Sequence, residues 1–310
     1  MNYSNIDIRD AFFDKIYDIA AKDKDVIFIT ADADAFSLRK YKKDFPEQFI
    51  NVGVAEQNMV AVAAGLALSG KKVFIYAIIP FLTMRCYEHI KVNICSMNLP
   101  VTIIGIGSGL SFGNDGPTHH AIQDISIMRT LPEIMILNPC DSMSAAACAQ
   151  ISYESKKPIY VRIDKGVLKP LYNDKDVFSK GLKVLKKTTD INIISTGIMS
   201  QQAVLVAEEL KKHNVNVGII DLFRIKQVDE KLLIKLIKNS KQLITIEENS
   251  ILGGIGTVVS EILTDNKLNI PLKRIALEDK QCFDYGTREW LHEHYGLDVQ
   301  SLTKTILNEA

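Results

Sequence analysis

The sequence predicts an α/β protein of two doubly wound domains, each built on a mostly parallel sheet. Three observations carry that prediction. Short apolar runs of strand length alternate with longer stretches of helical periodicity along the whole chain. The runs are nearly continuously apolar instead of apolar at every second position, the pattern of strands covered on both faces. The alternation lapses between about residues 164 and 180 and then begins again. Lys165-Gly166, Lys169-Pro170 and Asn173-Asp174 in that lapse are turn and linker chemistry. The division falls at residue 170, giving domains 1–170 and 171–310.

Taken in order, Ile8 to Ala21 has helical periodicity and Asp25 to Thr30 is an apolar run of strand length. A small-residue helix begins near Glu56. It is followed by a strand from Lys72 to Ala77 and a helix from about Thr83 to Met97. The strand Val101–Gly105 leads into a glycine-rich loop and a helix from Ile122 to Thr130. The strand Ile134–Leu137, the helix Ser142–Tyr153 and the strand Pro158–Arg162 complete the first unit. In the second, Ile191 to Gly197 reads as a strand and turn, and Gln201 to Lys212 as a helix. The strand Val217–Ile220, the helix Glu230–Ile237 and the strand Leu243–Ile246 follow. Gly253-Gly254-Ile255-Gly256 then opens another helix.

Composition narrows the function. The chain has 310 residues, with 47% hydrophobic and 24% charged, enough to fill two cores. Lys plus Arg and Asp plus Glu number 37 each, so no charge imbalance points to nucleic acid or an anionic membrane surface. Apolar runs stop well short of a membrane-spanning length, and Met1 to Asn5 does not read as a secretory leader. Cys86, Cys95, Cys140, Cys148 and Cys282 are scattered, with no Cys-x-x-Cys and no His at ligand spacing. They are expected to be reduced residues of a cytoplasmic protein.

Two stretches carry the chemistry. Asn51-Val52-Gly53-Val54-Ala55-Glu56-Gln57 leads into a helix of alanines, valines and glycines whose first turn holds one carboxylate, Glu56. Free backbone N–H groups and the helix dipole favour an ionised acid there. Alone, this fits a charged helix start as well as a catalyst. The loop Gly105 to His120 concentrates glycines with Asp115, His119 and His120, but its glycine spacing is not that of a dinucleotide or phosphate-binding loop. Adjacent histidines diverge, and no third metal ligand accompanies them.

The order and spacing of Val52-Gly53-Val54-Ala55-Glu56-Gln57, Pro80-Phe81-Leu82 and Gly113-Asn114-Asp115-Gly116-Pro117-Thr118-His119 resemble the transketolase family. Asp190 to Gly197, and Glu247-Glu248-Asn249 before Gly253-Gly254-Ile255-Gly256, extend the resemblance over nearly the whole chain. It implies a pyrimidine-binding domain followed by a transketolase C-terminal domain, and thiamine diphosphate as cofactor. By that resemblance Glu56 matches the glutamate that holds the aminopyrimidine ring nitrogen, and Phe81 the aromatic residue stacked on that ring. Asp115 and His119 match residues facing the sugar hydroxyls, and Asp32 an acid near the cofactor at the subunit interface. Arg9, Ser37 and Arg162 match positions that meet a sugar phosphate, a task suited to the guanidinium fork.

The resemblance has departures. Gly107 stands where typical transketolases have a substrate-binding histidine, and Ser108 where deoxyxylulose phosphate synthases have an arginine. These put the usual sugar phosphates in question as substrates. The family's Gly-Asp-Gly motif for diphosphate and magnesium is absent from the sequence. The expectation is therefore a split enzyme, in which an N-terminal subunit holds the diphosphate and its magnesium. The complex is expected to be α2β2, and the isolated chain a homodimer. The reaction implied is transfer of a two-carbon ketol unit from a ketose to an aldose. The alternatives are a 2-oxo-acid dehydrogenase beta-type subunit, a deoxyxylulose phosphate synthase-like half, and a catalytically idle regulatory paralogue.

Overall fold

The computed structural model describes Tyr3 and residues 6–188 and 190–309. Most of the Met1–Asn5 stretch lies outside the described residues. Strands β1 (Val26–Thr30), β2 (Phe49–Asn51), β3 (Lys72–Ile78), β4 (Val101–Ile106), β5 (Met135–Leu137) and β6 (Ile159–Ile163) build a first sheet. Strands β7 (Lys183–Lys186), β8 (Ile191–Ser195), β9 (Val217–Asp221), β11 (Gln242–Ser250) and β12 (Leu272–Leu277) build a second. One short strand, β10 (Arg224–Lys226), leaves the second half of the chain and pairs antiparallel with β5. The first sheet thus runs β10-β5-β6-β4-β3-β1-β2 and the second β12-β11-β8-β9-β7. The β7–β9 pair is also antiparallel; the other pairings between these strands, among the described residues, are parallel.

The apolar runs explain the layers. Every residue of β1, β4, β6 and β9 is buried, so helices cover both faces of each sheet. The helix Glu56–Leu68 turns Met59, Val60, Ala63, Ala64 and Ala67 inward. Its other side leaves Gln57, Asn58, Ala61, Gly65 and Leu68 exposed. No helix among the described residues is long and apolar enough to cross a membrane.

The stretch expected as one helix from Thr83 to Met97 is divided. A short helix Ile79–Thr83 starts directly after β3 with Pro80 in its first turn, followed by Tyr87–His89 and a π-helical segment Ile90–Cys95. Bonds to the fifth residue back widen the coil: Ser96 N donates to Lys91 O at 2.8 Å and Leu99 N to Ile94 O at 3.0 Å. Further elements were not evident in the sequence, among them the helices Phe36–Asp44, Arg288–His294 and Val299–Leu307 and the edge strands β2, β7, β10 and β12. They are short, polar or at sheet edges, where periodicity is weakest.

A buried ionic latch ties the two sheets together. Arg288 opens the helix Arg288–His294, with Nη1 2.7 Å from Asp164 Oδ2 just past β6. Its Nε donates to Glu248 Oε1 at 2.9 Å and its Nη2 to Glu248 Oε2, on β11. His292 Nε2 lies 2.6 Å from the same Oε1, and Ser108 Oγ donates to Asp164 Oδ2 at 2.9 Å. Burial alone would raise the Glu248 pKa, but Arg288 and His292 outweigh it and hold the carboxyl well below its usual range. The close approach needs Gly109, whose φ is +57° and whose Cβ would fall 2.0 Å from Glu248 Oε2.

Removing one member of such a network strands the others without partners. Arg288→Met is expected to lower the unfolding free energy by about 3–5 kcal/mol in a urea titration. A loss below about 1 kcal/mol, the range of an exposed pair, would show that the latch does not hold the halves together.

Candidate active site

The sequence-derived residues collect where open parallel sheets present ligand sites, beyond the carboxyl ends of the strands. Asp32 follows β1 in a left-handed conformation, φ 60°, which a non-glycine residue adopts only when its surroundings hold it. Asn51, at the end of the neighbouring β2, provides that hold. Its Nδ2 donates to Asp32 Oδ1 and its Oδ1 accepts from Asp32 N, both at 3.1 Å. Asn51 Oδ1 also accepts from Gly53 N at 3.0 Å, shaping the bend that delivers the chain into the helix Glu56–Leu68.

Glu56 is the first residue of that helix and only 4% exposed. Ala55 offers no side-chain cap, so the helix start depends on backbone and Glu56 itself. Among the described residues the buried carboxylate has one charged partner: Arg85 Nη1, 2.8 Å from Glu56 Oε2. The same guanidinium lies over the half-buried Phe81 ring, with Cζ 4.4 Å from its centroid. A carboxylate and an aromatic face thus converge on a single planar group that carries N–H donors.

From Phe81 an aromatic row runs into the glycine-rich loop. The His119 ring meets Phe81 edge-on with centroids 5.0 Å apart, and Phe112 lies 5.9 Å beyond His119. Thr118 Oγ1 is 3.0 Å from His119 Nδ1, which leaves Nε2 as the ring nitrogen available to a ligand. Lys165 Nζ stands 4.1 Å over the Phe112 ring, and its side chain is exposed. Asp115 is exposed at the end of the turn Gly113–Asp115 in the same loop, backed by Tyr285 and Gly286. Gly107 cannot gain a side chain here: its φ is +89°, and a Cβ would lie 2.0 Å from the Phe112 ring. Phe112 fills the space that a histidine at 107 would use.

Arg9 and Ser37 lie together, on the helices Ile8–Ala20 and Phe36–Asp44. Asp10 joins them, 3.6 Å from Arg9 Nε and bonded by the Ser37 backbone, and Tyr76 packs against Arg9. Burial lowers the Arg9 pKa, but Tyr76, Asp10 and Asp7 together raise it above its ordinary value. Its Nε is buried and, among the described residues, has no hydrogen-bond partner.

Arg162 is a correction. Only 3% exposed, it gives Nε to Asp124 Oδ2 at 2.9 Å, and Nη2 to Ala121 O at 2.9 Å and Glu248 O at 3.1 Å. Those donors are spent inside the protein, so Arg162 joins the domains and does not face a sugar phosphate. Ser108 is likewise a latch residue, 1% exposed. Sequence reasoning missed two cations. Arg85 stands four residues after Phe81, a helical spacing that brings side chains together. Lys165 reads as linker chemistry, although it lies just past the carboxyl end of β6. Among the described residues, no cluster of His, Cys, Asp and Glu is arranged to hold a metal ion.

Comparison with known proteins agrees with this geometry. Residues 4–170 match the family described as "Transketolase, pyrimidine binding domain", and residues 180–302 match "Transketolase, C-terminal domain". The chain is 33% identical to a subunit of an apulose-4-phosphate transketolase from Phocaeicola vulgatus, covering 96% of each protein. It is 30% identical to a 6-deoxy-6-sulfo-D-fructose transketolase subunit from a Clostridium species, covering 96% of this chain and 92% of that one. Among solved structures, a split gene transketolase in an inactive beta4 tetramer superposes with a TM-score of 0.87, at 28% identity and 98% coverage of each chain. With both domains matched in order and whole-length similarity to subunits of divided enzymes, the chain belongs to the transketolase family, as a subunit with its pyrimidine-binding and C-terminal domains.

Proposed function

We propose that this chain is the aminopyrimidine-binding subunit of a two-chain, thiamine diphosphate-dependent transketolase that moves a two-carbon ketol unit from a ketose to an aldose. The observation that carries the reading is the convergence of Glu56 and Phe81 on one planar N–H-bearing group, here the Arg85 guanidinium. An aminopyrimidine makes the same two demands, a carboxylate for its ring nitrogen and an aromatic face for its ring. When bound, thiamine diphosphate supplies the electron sink for breaking and making the carbon–carbon bond.

The protein's part is binding, orientation and proton control. Glu56 holds a shared proton at the ring nitrogen, and its burial strengthens that bond. Phe81 offers its face to the ring, and Asp32, beside the approach to Glu56, lines the interface. His119 Nε2 and the Asp115 carboxylate bind sugar hydroxyls. With Arg162 committed to the interior, Lys165 takes the anionic end of the substrate, and Arg9 with Ser37 forms a second anion contact. The two relatives are named for a sugar phosphate and a sulfonated sugar, which supports an anionic substrate here.

The chain has no Gly-Asp-Gly, so the diphosphate and its magnesium fall to a companion N-terminal subunit in an α2β2 complex. Val54 and Leu68 at the ends of the Glu56 helix, with Met84, Val92 and Met97 on the following segment, are exposed apolar residues suited to a subunit contact. The beta4 assembly of the solved relative supports self-association of the isolated subunit, as a tetramer or as the homodimer expected from sequence. All five cysteines are free and buried, in keeping with a reducing cytoplasm.

Glu56→Gln, assayed with the companion subunit, is expected to reduce kcat by at least about 100-fold, the scale of lost acid–base participation. Turnover within about threefold of wild type would remove Glu56 from the mechanism. Lys165→Met is expected to raise KM for a phosphorylated acceptor by about tenfold and leave a neutral acceptor nearly unaffected. Equal effects on both acceptors would contradict an anion-binding role.

A further inference from the structure

We propose that Arg85 occupies the aminopyrimidine seat in the isolated subunit, so that thiamine diphosphate must displace its guanidinium to reach Glu56 and Phe81. The proposal rests on the assignment of that seat under Proposed function.

The guanidinium makes both contacts that define the seat. It is planar, it bonds Glu56 Oε2 at 2.8 Å, and it lies 4.4 Å from the Phe81 ring centroid. A heteroaromatic ring cannot take the same two partners while Arg85 keeps them. The need for such an occupant follows from Glu56. Its side chain is 5% exposed, and a buried carboxylate without a partner is strongly unfavourable. Arg85 provides the counter-charge until the cofactor arrives.

The attachment is also built to release. The Arg85 side chain is 45% exposed, and among the described residues its guanidinium has one ionic partner, Glu56. Arg162 and Arg288 differ: each is largely enclosed and spread over several acceptors in the domain contact. The Arg85 backbone is fixed separately, with its N–H directed to Pro80 O at 3.3 Å and its carbonyl accepting from Gln57 Nε2 at 3.3 Å. The side chain can therefore swing toward solvent while the main chain around Phe81 stays in place. Cofactor affinity is then reduced by the fraction of molecules in which the seat is closed.

The test is calorimetric titration of thiamine diphosphate with magnesium into the complex reconstituted with the companion subunit. Arg85→Met is expected to bind about fivefold more tightly than wild type, and Arg85→Gln about threefold. The isolated Arg85→Met subunit is also expected to unfold at a lower temperature than wild type, because Glu56 loses its counter-charge, and the difference should close when the complex is loaded with cofactor. Equal or weaker cofactor binding by the variants, with the wild-type complex binding normally, overturns the gate and leaves the proposed function standing. A wild-type complex that binds no thiamine diphosphate overturns the underlying reading instead. If Arg85→Met does not fold, Arg85→Gln carries the same comparison, and unchanged affinity in it is decisive against the proposal.

Discussion

An ionised carboxylate removed from water must be paired, and that constraint governs both centres of this molecule. At Glu248 and Asp164 the partner is Arg288, held in a closed network that fixes one domain against the other. At Glu56 the partner is Arg85, a half-exposed side chain held by one ion pair that can be exchanged. The chemistry is the same, and the difference in enclosure separates a structural bond from a functional one. A latch of several charge-assisted bonds cannot open without exposing all its members. A single bond to a half-exposed arginine opens at the cost of one.

The latch also bears on the active site. Ser108 and Gly109 follow β4 directly and are clamped to Asp164, Glu248 and Arg288. The loop that carries Phe112, Asp115 and His119 begins immediately after them. Tyr285 and Gly286, just before Arg288, press on the other end of that loop at Gly113 and Gly116. The C-terminal domain thus positions Phe112, Asp115 and His119, which belong to the pyrimidine-binding domain. The substrate side is shaped by the same packing. Phe112 takes up the volume beside Gly107, and Lys165 rests on its ring, so the wall near His119 is aromatic with a cation at its edge.

Much of this was legible in the sequence, for definable reasons. Strands such as Val101–Ile106 and Ile191–Ser195 are apolar runs that could only be buried, and Glu56, Phe81, Asp115 and His119 stand in motifs with fixed order. What could not be read depends on partners distant in the chain. Arg162 looked like a phosphate ligand because its partners are far away in the chain: Asp124 and Ala121 meet it only when the first domain folds, and Glu248 only across the domain contact. Arg85 had no signal beyond its spacing from Phe81, and Lys165 sat in a stretch whose turn chemistry concealed its position past β6. The π-helical segment at Ile90–Cys95 carries no signal in its composition, and only its hydrogen bonds set it apart.

The proposed function requires division of the cofactor between two chains, with this one gripping the aminopyrimidine and its companion the diphosphate. The direct measurement is equilibrium binding of thiamine diphosphate with magnesium to the isolated chain and to the chain with its companion subunit. The account predicts saturation of the complex at concentrations where the isolated chain stays essentially empty. Equally tight binding by the isolated chain would contradict it.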